Sequence, residues 1–269
     1  MRHWICAGLA AIGLALSLAP AAASGPFAEG PPAGGSGPAP SVGESPGARS
    51  EVDLLLVLAV DISRSVDERK FRLQREGYAA ALTNPKVIRA IGSGVAGRIA
   101  ISLIEWSGVA EQAIIADWTA VGSLAEAEAL AQRIRAAPRA FMGRTAVGSA
   151  IEFALLQLPR SPWRAARHLI DVSGDGTSNS GIDLEEARRM ALAQGVTING
   201  LAILSEVPLP FNPLHTHPPG GLLNYYQTSV IGGPNSFAIA AENHEAFGNA
   251  ILSKLIKEIA LEGAPATRR

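Results

Sequence analysis

The chain has 269 residues, 48% of them apolar, with 23 basic and 24 acidic side chains and a net charge of −1. That length suits one large domain or two small ones with a sizeable core. The near-neutral charge excludes a broad nucleic-acid-binding face, which needs a basic surface.

In chain order, Arg2 and His3 precede an apolar run from Trp4 to about Leu18, and small residues follow to Ala23. A basic start, an apolar core and a small-residue end predict a secretory signal peptide over residues 1–23. The product is then exported, periplasmic or secreted. Left uncleaved, the run is long enough to span a bilayer, and only then does the sequence point to a membrane. The one cysteine, Cys6, falls inside this segment, so no disulfide is expected in the mature chain. Residues 24–50 are rich in Gly, Pro, Ser and Ala, as a disordered linker is. A single domain is expected over 51–262, with a disordered tail over 263–269.

Val52–Val60 is a nearly continuous apolar run, the texture of a strand covered on both faces. Val66–Leu82 has helical spacing. Ile99–Trp106 reads as a second buried strand, and Glu111–Trp118 as a third at an edge. Leu124–Ala136 and Thr145–Leu158 read as helices, Arg167–Val172 as a strand and Asp183–Gln194 as a helix. Val196–Leu204 and the short Ser236–Ala240 are strands, and His244–Leu261 is a closing helix. This alternation predicts a Rossmann-like, doubly wound α/β fold with a mostly parallel sheet flanked by helices. In such folds ligands bind beyond the carboxyl ends of the strands.

Polar clusters at those ends are therefore the candidate sites. Asp61-Ile62-Ser63-Arg64-Ser65 directly follows the most apolar strand. Asp61, Ser63 and Ser65 alternate, so a tight loop brings their side chains together. Carboxylate and hydroxyl oxygens are hard ligands, suited to Mg²⁺ or Mn²⁺ rather than zinc. The competing reading is local: Ser65 with Glu68 also fits a capping box for the next helix. Thr145 precedes an apolar helix and fits an N-cap. Asp175, in Gly174-Asp175-Gly176, fits a turn.

Taken together, D-x-S-x-S, then a Thr, then an Asp resembles the metal-ion-dependent adhesion site of the von Willebrand factor type A family. The resemblance covers about residues 51–262. The segment with Tyr225-Tyr226 and Val230-Ile231-Gly232-Gly233-Pro234 looks more like a branch of exported bacterial type-A-like proteins of unknown function. The resemblance implies that Asp61, Ser63, Ser65, Thr145 and Asp175 hold the ion. It also implies a protein partner that offers an Asp or Glu to an open coordination position. Arg64 and Arg144 border the site, either as solvated loop charges or as groups that steer such a partner.

Other polar residues read more plainly. Asp171 fits a structural role inside its strand, and His168 packs in the same strand. Glu206–Gly221 is Pro-rich and holds His215 and His217, but no third ligand is evident there. A surface loop is expected, shaping a partner surface or a cap together with Tyr225 and Tyr226. The chain carries no G-x-S-x-G elbow, P-loop or D-x-D-x-T motif, so binding is expected rather than catalysis. The alternatives are an ion that only stabilises the fold, or a metal-dependent hydrolase.

Overall fold

The computed structural model describes residues 49–260. The expected signal segment, the linker up to residue 48 and the tail over 263–269 lie outside the described residues. In chain order the elements are β1 (Leu55–Asp61), α1 (Glu68–Leu82), α2 (Pro85–Gly92), β2 (Ile99–Trp106), β3 (Gln112–Val121), α3 (Leu124–Ala136), α4 (Val147–Gln157), β4 (His168–Gly174), α5 (Leu184–Ala193), β5 (Thr197–Ile203), the single turns α6 (Pro213–Thr216) and α7 (Leu222–Tyr225), β6 (Ala238–Ala241) and α8 (Phe247–Ala260).

The six strands form one sheet in the order β3-β2-β1-β4-β5-β6, and only β3 runs antiparallel to its neighbour. The mostly parallel α/β fold read from the sequence is therefore the fold of the described residues. β1 shows why its run is continuously apolar. Leu56, Leu58 and Val60 face a core built with α1, α2, α3 and α8. Leu55, Val57 and Ala59 face a second core with α4, α5 and α7. Every residue of β1 is buried, and each Leu or Val so buried contributes about 1.5–3 kcal/mol relative to exposure.

Several boundaries differ from the sequence reading. β3 continues to Val121, three residues past the expected end at Trp118, and it is an edge strand. The helix α2 was missed, although Asn84 caps it and Pro85 starts it, a recognised pair of start signals. The helix α1 begins at Glu68 and is capped by Asp67, which accepts the Lys70 N–H at 2.8 Å. The capping box of Ser65 and Glu68, the competing local reading, is therefore not formed. Asp67 sits closer to the first turn and satisfies the donor instead.

A charged network is buried between β4 and α8. Lys254 is fully buried, bonded to Glu258 and 2.5 Å from Asp171. Asn199 donates to Glu258 at 3.0 Å and accepts the Phe237 N–H at 3.0 Å. Tyr78 donates to Ser173 at 3.1 Å on the same side of β4. Asp171 thus has a structural partner in Lys254 rather than a place in the polar cluster at the strand ends.

Candidate functional site

The sheet order places β1 next to β2 on one side and β4 on the other. The chain reverses direction of travel across the sheet there, so the carboxyl ends of β1 and β4 border the crevice where such folds bind ligands. Asp61 is the last residue of β1, and Asp175 directly follows β4.

The loop after β1 is a tight turn. The Ser63 N–H donates to Asp61 Oδ1 at 2.7 Å, the local bond that Asp favours in turns. Ser63 Oγ lies 3.1 Å from Ser65 Oγ, and Ser65 Oγ donates to Asp175 Oδ1 at 2.6 Å. Three of the four sequence-selected residues around Asp61 therefore touch one another. Asp61, Ser63, Thr145 and Asp175 are all buried, and Ser65 is partly so.

Thr145 comes from the segment before α4. It does not cap that helix; the capping position is Ala146, without a side-chain bond. Its hydroxyl lies 3.3 Å from His215 Nε2. The segment is fixed from three sides. Gly143 O accepts the Arg64 N–H at 2.9 Å, Ser107 O accepts the Ala146 N–H at 2.8 Å, and Asn179 Oδ1 accepts the Thr145 N–H at 3.1 Å. Thr145 and Ser65 line the same cleft of about 560 Å³, with Arg64, Arg144, Leu209, Pro210, Phe211, Asn212 and His215.

Below the loop, Arg139 acts as a clamp. One guanidinium nitrogen donates to Ile62 O at 2.7 Å, Ser63 O at 3.2 Å and Val66 O at 2.7 Å. Phe71 lies between Arg139 and Arg75, whose guanidinium carbons are 5.1 and 4.7 Å from the ring centroid. Arg75 in turn pairs with the buried Glu105 at 2.6 Å. The sequence reading did not name Arg139, Arg75 or Glu105. Arg139 contacts the loop from 73 to 77 positions away, and no local pattern marks it.

The electrostatics are unbalanced. Asp61 Oδ2 is buried without a hydrogen-bond partner. Burial, together with the charge of Asp175, pushes the Asp61 carboxyl up to about 8. Lys70 lies 3.6 Å from Asp175 Oδ2 and is itself bonded to Ser65 O at 2.8 Å. It leaves Asp61 Oδ2 unpartnered. Gly174 lets the chain pass close here, because a Cβ would lie 2.9 Å from Asp61 Oδ2 and 2.6 Å from the Tyr226 hydroxyl.

The loop residues depart from the sequence reading. Only His217 of the pair is exposed; His215 is 4% exposed and faces Thr145. His215 lies inside the single turn α6 and His217 just past its end. Tyr226 is fully buried and shapes no surface, while Tyr225 accepts the Ser178 N–H at 3.1 Å. Arg64 and Arg144 are exposed at the cleft, and Arg144 donates to Asn179 O at 2.8 Å. Among the described residues no three His, Cys, Asp or Glu side chains converge as a metal cluster. The candidate set is instead two carboxylates with three hydroxyls.

A model of a protein family of unknown function, DUF1194, matches residues 51–263. The chain belongs to the DUF1194 family. A search of curated proteins gave no match. Among solved structures this DUF1194 chain is similar to proximal thread matrix protein 1 from the mussel byssus, with a TM-score of 0.54 at 13% identity over 78% of this chain and 47% of that one. It is similar to the pilus adhesin SpaC of Lactobacillus rhamnosus GG in its open conformation, at 0.56 and 16% over 80% and 31%. It is also similar to a von Willebrand factor type A protein from Catenulispora acidiphila, at 0.51 and 14% over 77% and 43%. The DUF1194 chain therefore has the type A fold, and it spans less than half the length of each of these structures. One crystal of the byssus protein has a zinc-occupied MIDAS motif.

Proposed function

We propose that this domain binds a divalent cation through Asp61, Ser63, Ser65, Thr145 and Asp175, and uses it to hold an acidic residue of a protein partner. The observation that carries the reading is the unpartnered, buried Asp61 Oδ2 beside a second carboxylate. Two buried acids with one open oxygen are costly unless a cation joins them. The residues fit a hard ion. Ser63 and Ser65 present adjacent hydroxyls, Thr145 presents a third, and all are oxygen donors suited to Mg²⁺ or Mn²⁺.

When bound, the ion supplies an electrophilic position for a carboxylate oxygen. The rest is done by this chain's own groups. Arg139 holds the Asp61–Ser65 loop rigid from below. Asn179 and Ser107 hold Thr145 in place from the side. Arg64 and Arg144 add positive charge along the cleft, which favours an acidic partner and speeds its approach. The apolar wall formed by Leu209, Pro210 and Phe211 gives the same cleft an uncharged side.

Thr145 Oγ1 and His215 Nε2, 3.3 Å apart, are a hydroxyl–imidazole pair at the site, but the hydroxyl is one of the proposed ligands and the sequence carries no recognised hydrolase motif, so binding is favoured over hydrolysis. An exported protein, periplasmic or secreted, is the setting we propose for such a contact. Among the described residues no helix is long and apolar enough to cross a membrane.

Calorimetry with Mg²⁺ and Mn²⁺ on the wild type and on Asp61→Ala tests the first half. Equal heats in both, unaffected by EDTA, would refute it. Capture of partners from the native envelope with Mg²⁺ or with EDTA tests the second half. A partner set unchanged by EDTA would refute metal-dependent binding.

A further inference from the structure

The loops at the carboxyl end of the sheet gather most of the large apolar side chains that stand in solvent. Among the described residues eight such side chains are exposed, and five of them, Val109, Met142, Val207, Phe211 and Leu214, belong to these loops. Val109 follows β2, Met142 precedes Gly143 of the cleft, and the other three follow β5. Phe211 is 101% exposed and lines the cleft itself. Exposed apolar residues gathered at one end mark a contact surface, whereas single scattered ones do not.

The segment that carries Phe211 is held in place. His215 is its foot. The ring packs on Gly176, where any Cβ would collide with it, and His215 O accepts the Thr177 N–H at 2.9 Å. Farther out, the Asn212 N–H donates to Leu209 O at 3.2 Å, and the Leu209 N–H donates to Thr216 Oγ1 at 3.3 Å. Pro208, Pro210 and Pro213 restrict the backbone between these ties. A wall fixed in advance loses less entropy on binding than a loop that must first order.

The charge of the cleft is one-sided. Arg64 and Arg144 line it and no Asp or Glu does, in a chain whose net charge is −1. Asn179 O orients Arg144 at 2.8 Å, and a guanidinium has further N–H groups to offer a ligand. Glu111, whose carboxyl feels the Arg64 charge, is already taken by the Ser107 hydroxyl at 2.6 Å and the Gly108 N–H at 2.9 Å. The counter-charge must come from the occupant. At about 560 Å³ the cleft also has room for more than one carboxylate group.

We infer that the cleft is a two-part groove for a short segment of a protein partner, in which an Asp or Glu lies close to a large apolar side chain. The carboxylate sits toward Arg64, Arg144 and the polar cluster, and the apolar group packs on Leu209, Pro210 and Phe211. The inference rests on the partner-binding reading above and deepens it, because acidity alone then does not select the partner. Arginine and aromatic side chains are the types that dominate such contacts. A concave groove with Ser65, Thr145 and Asn179 among its lining residues suits directional hydrogen bonds to one peptide rather than the face of an anionic bilayer.

The full chain in Mg²⁺ is used to select from a displayed library of random peptides with a fixed central Glu. Enrichment of Phe, Tyr, Trp, Leu or Ile close to the Glu is expected. A selected peptide is then synthesised and titrated, in Mg²⁺ and in EDTA, against the wild type, Phe211→Ser, Arg64→Gln with Arg144→Gln, and Asp61→Ala. Phe211 lies wholly in solvent, so Phe211→Ser is expected to fold, to keep Mg²⁺ affinity within about threefold and to bind the peptide about tenfold more weakly or worse. The double arginine variant is expected to weaken the peptide likewise.

Selection without apolar enrichment, or no selection at all, overturns the inference. So does undiminished peptide binding by Phe211→Ser or by the double arginine variant. Capture by phosphatidylglycerol vesicles that is lost in Phe211→Ser, with no peptide selected, overturns it in favour of a membrane. If the groove fails while Mg²⁺ binding is still lost in Asp61→Ala, the cation-binding reading stands without it. Peptide binding that survives both EDTA and Asp61→Ala leaves the groove standing and the cation reading refuted.

Discussion

Ser65 Oγ donates a 2.6 Å hydrogen bond to Asp175 Oδ1 across 110 positions of sequence. This bond joins the loop after β1 to the loop after β4. It draws the polar cluster together before any cation is considered. Removing the hydroxyl leaves Asp175 buried with one acceptor unmet, at a cost of about 1–3 kcal/mol. Ser65→Ala is therefore expected to lower both stability and Mg²⁺ affinity, read by urea denaturation and calorimetry.

Asp61 gives the opposite sign for stability. Its Oδ2 is buried without a partner, and burial beside Asp175 disfavours its charge. Asp61→Asn keeps the shape and removes the charge. In EDTA the variant is expected to melt at a higher temperature than the wild type, while losing cation binding. A melting temperature below that of the wild type in EDTA would refute this. Such a trade of stability for function is the usual pattern at binding sites.

Arg139 is the third test. Arg139→Ala leaves the carbonyls of Ile62, Ser63 and Val66 without their shared donor. A loss of about 1–3 kcal/mol in stability is expected, with weaker cation binding although no proposed ligand has changed. Arg139→Lys reaches fewer of the three carbonyls at once and should recover only part of the loss.

The buried Lys254 network predicts a pH effect. Burial, opposed by Lys254 and reinforced by Asp171, pushes Glu258 from its ordinary 4.5 up to about 7. The folded chain then keeps a proton that the unfolded chain releases between those two values. Its contribution to stability is full below pH 4.5 and is lost as the pH rises to about 7. Denaturation in EDTA across that window should show the decline, and Glu258→Gln should reduce its slope. Lys254→Met removes the one cation from two buried acids and is expected to cost about 3–5 kcal/mol.

The fold was legible where the signal is local. Both faces of β1 are covered, so its apolar run was unambiguous. The hydroxyl and carboxylate pattern also stood out, because strand ends are where such residues gather. Ser65 was ambiguous for a physical reason. Ser65 and Asp67 both carry capping chemistry within three residues, and only the three-dimensional turn decides that Asp67 takes the Lys70 N–H. His215 was noticed only as one of a pair with His217, and its inward turn toward Thr145 was not legible. Its partner Thr145 lies 70 positions away, and the Pro-rich segment around it has no periodicity to show which side chains turn inward.

The reversal of chain direction at β1 and β4 has a mechanical consequence. An ion shared by Asp61 and Asp175 would fasten together two points separated by more than a hundred residues. In a chain whose one cysteine is Cys6, it would serve as a removable staple. Because the ion would bind the folded arrangement and not the unfolded chain, it would stabilise by mass action, and the melting temperature should rise with the free ion concentration. Unlike a disulfide, this fastening opens whenever the surroundings run short of the metal.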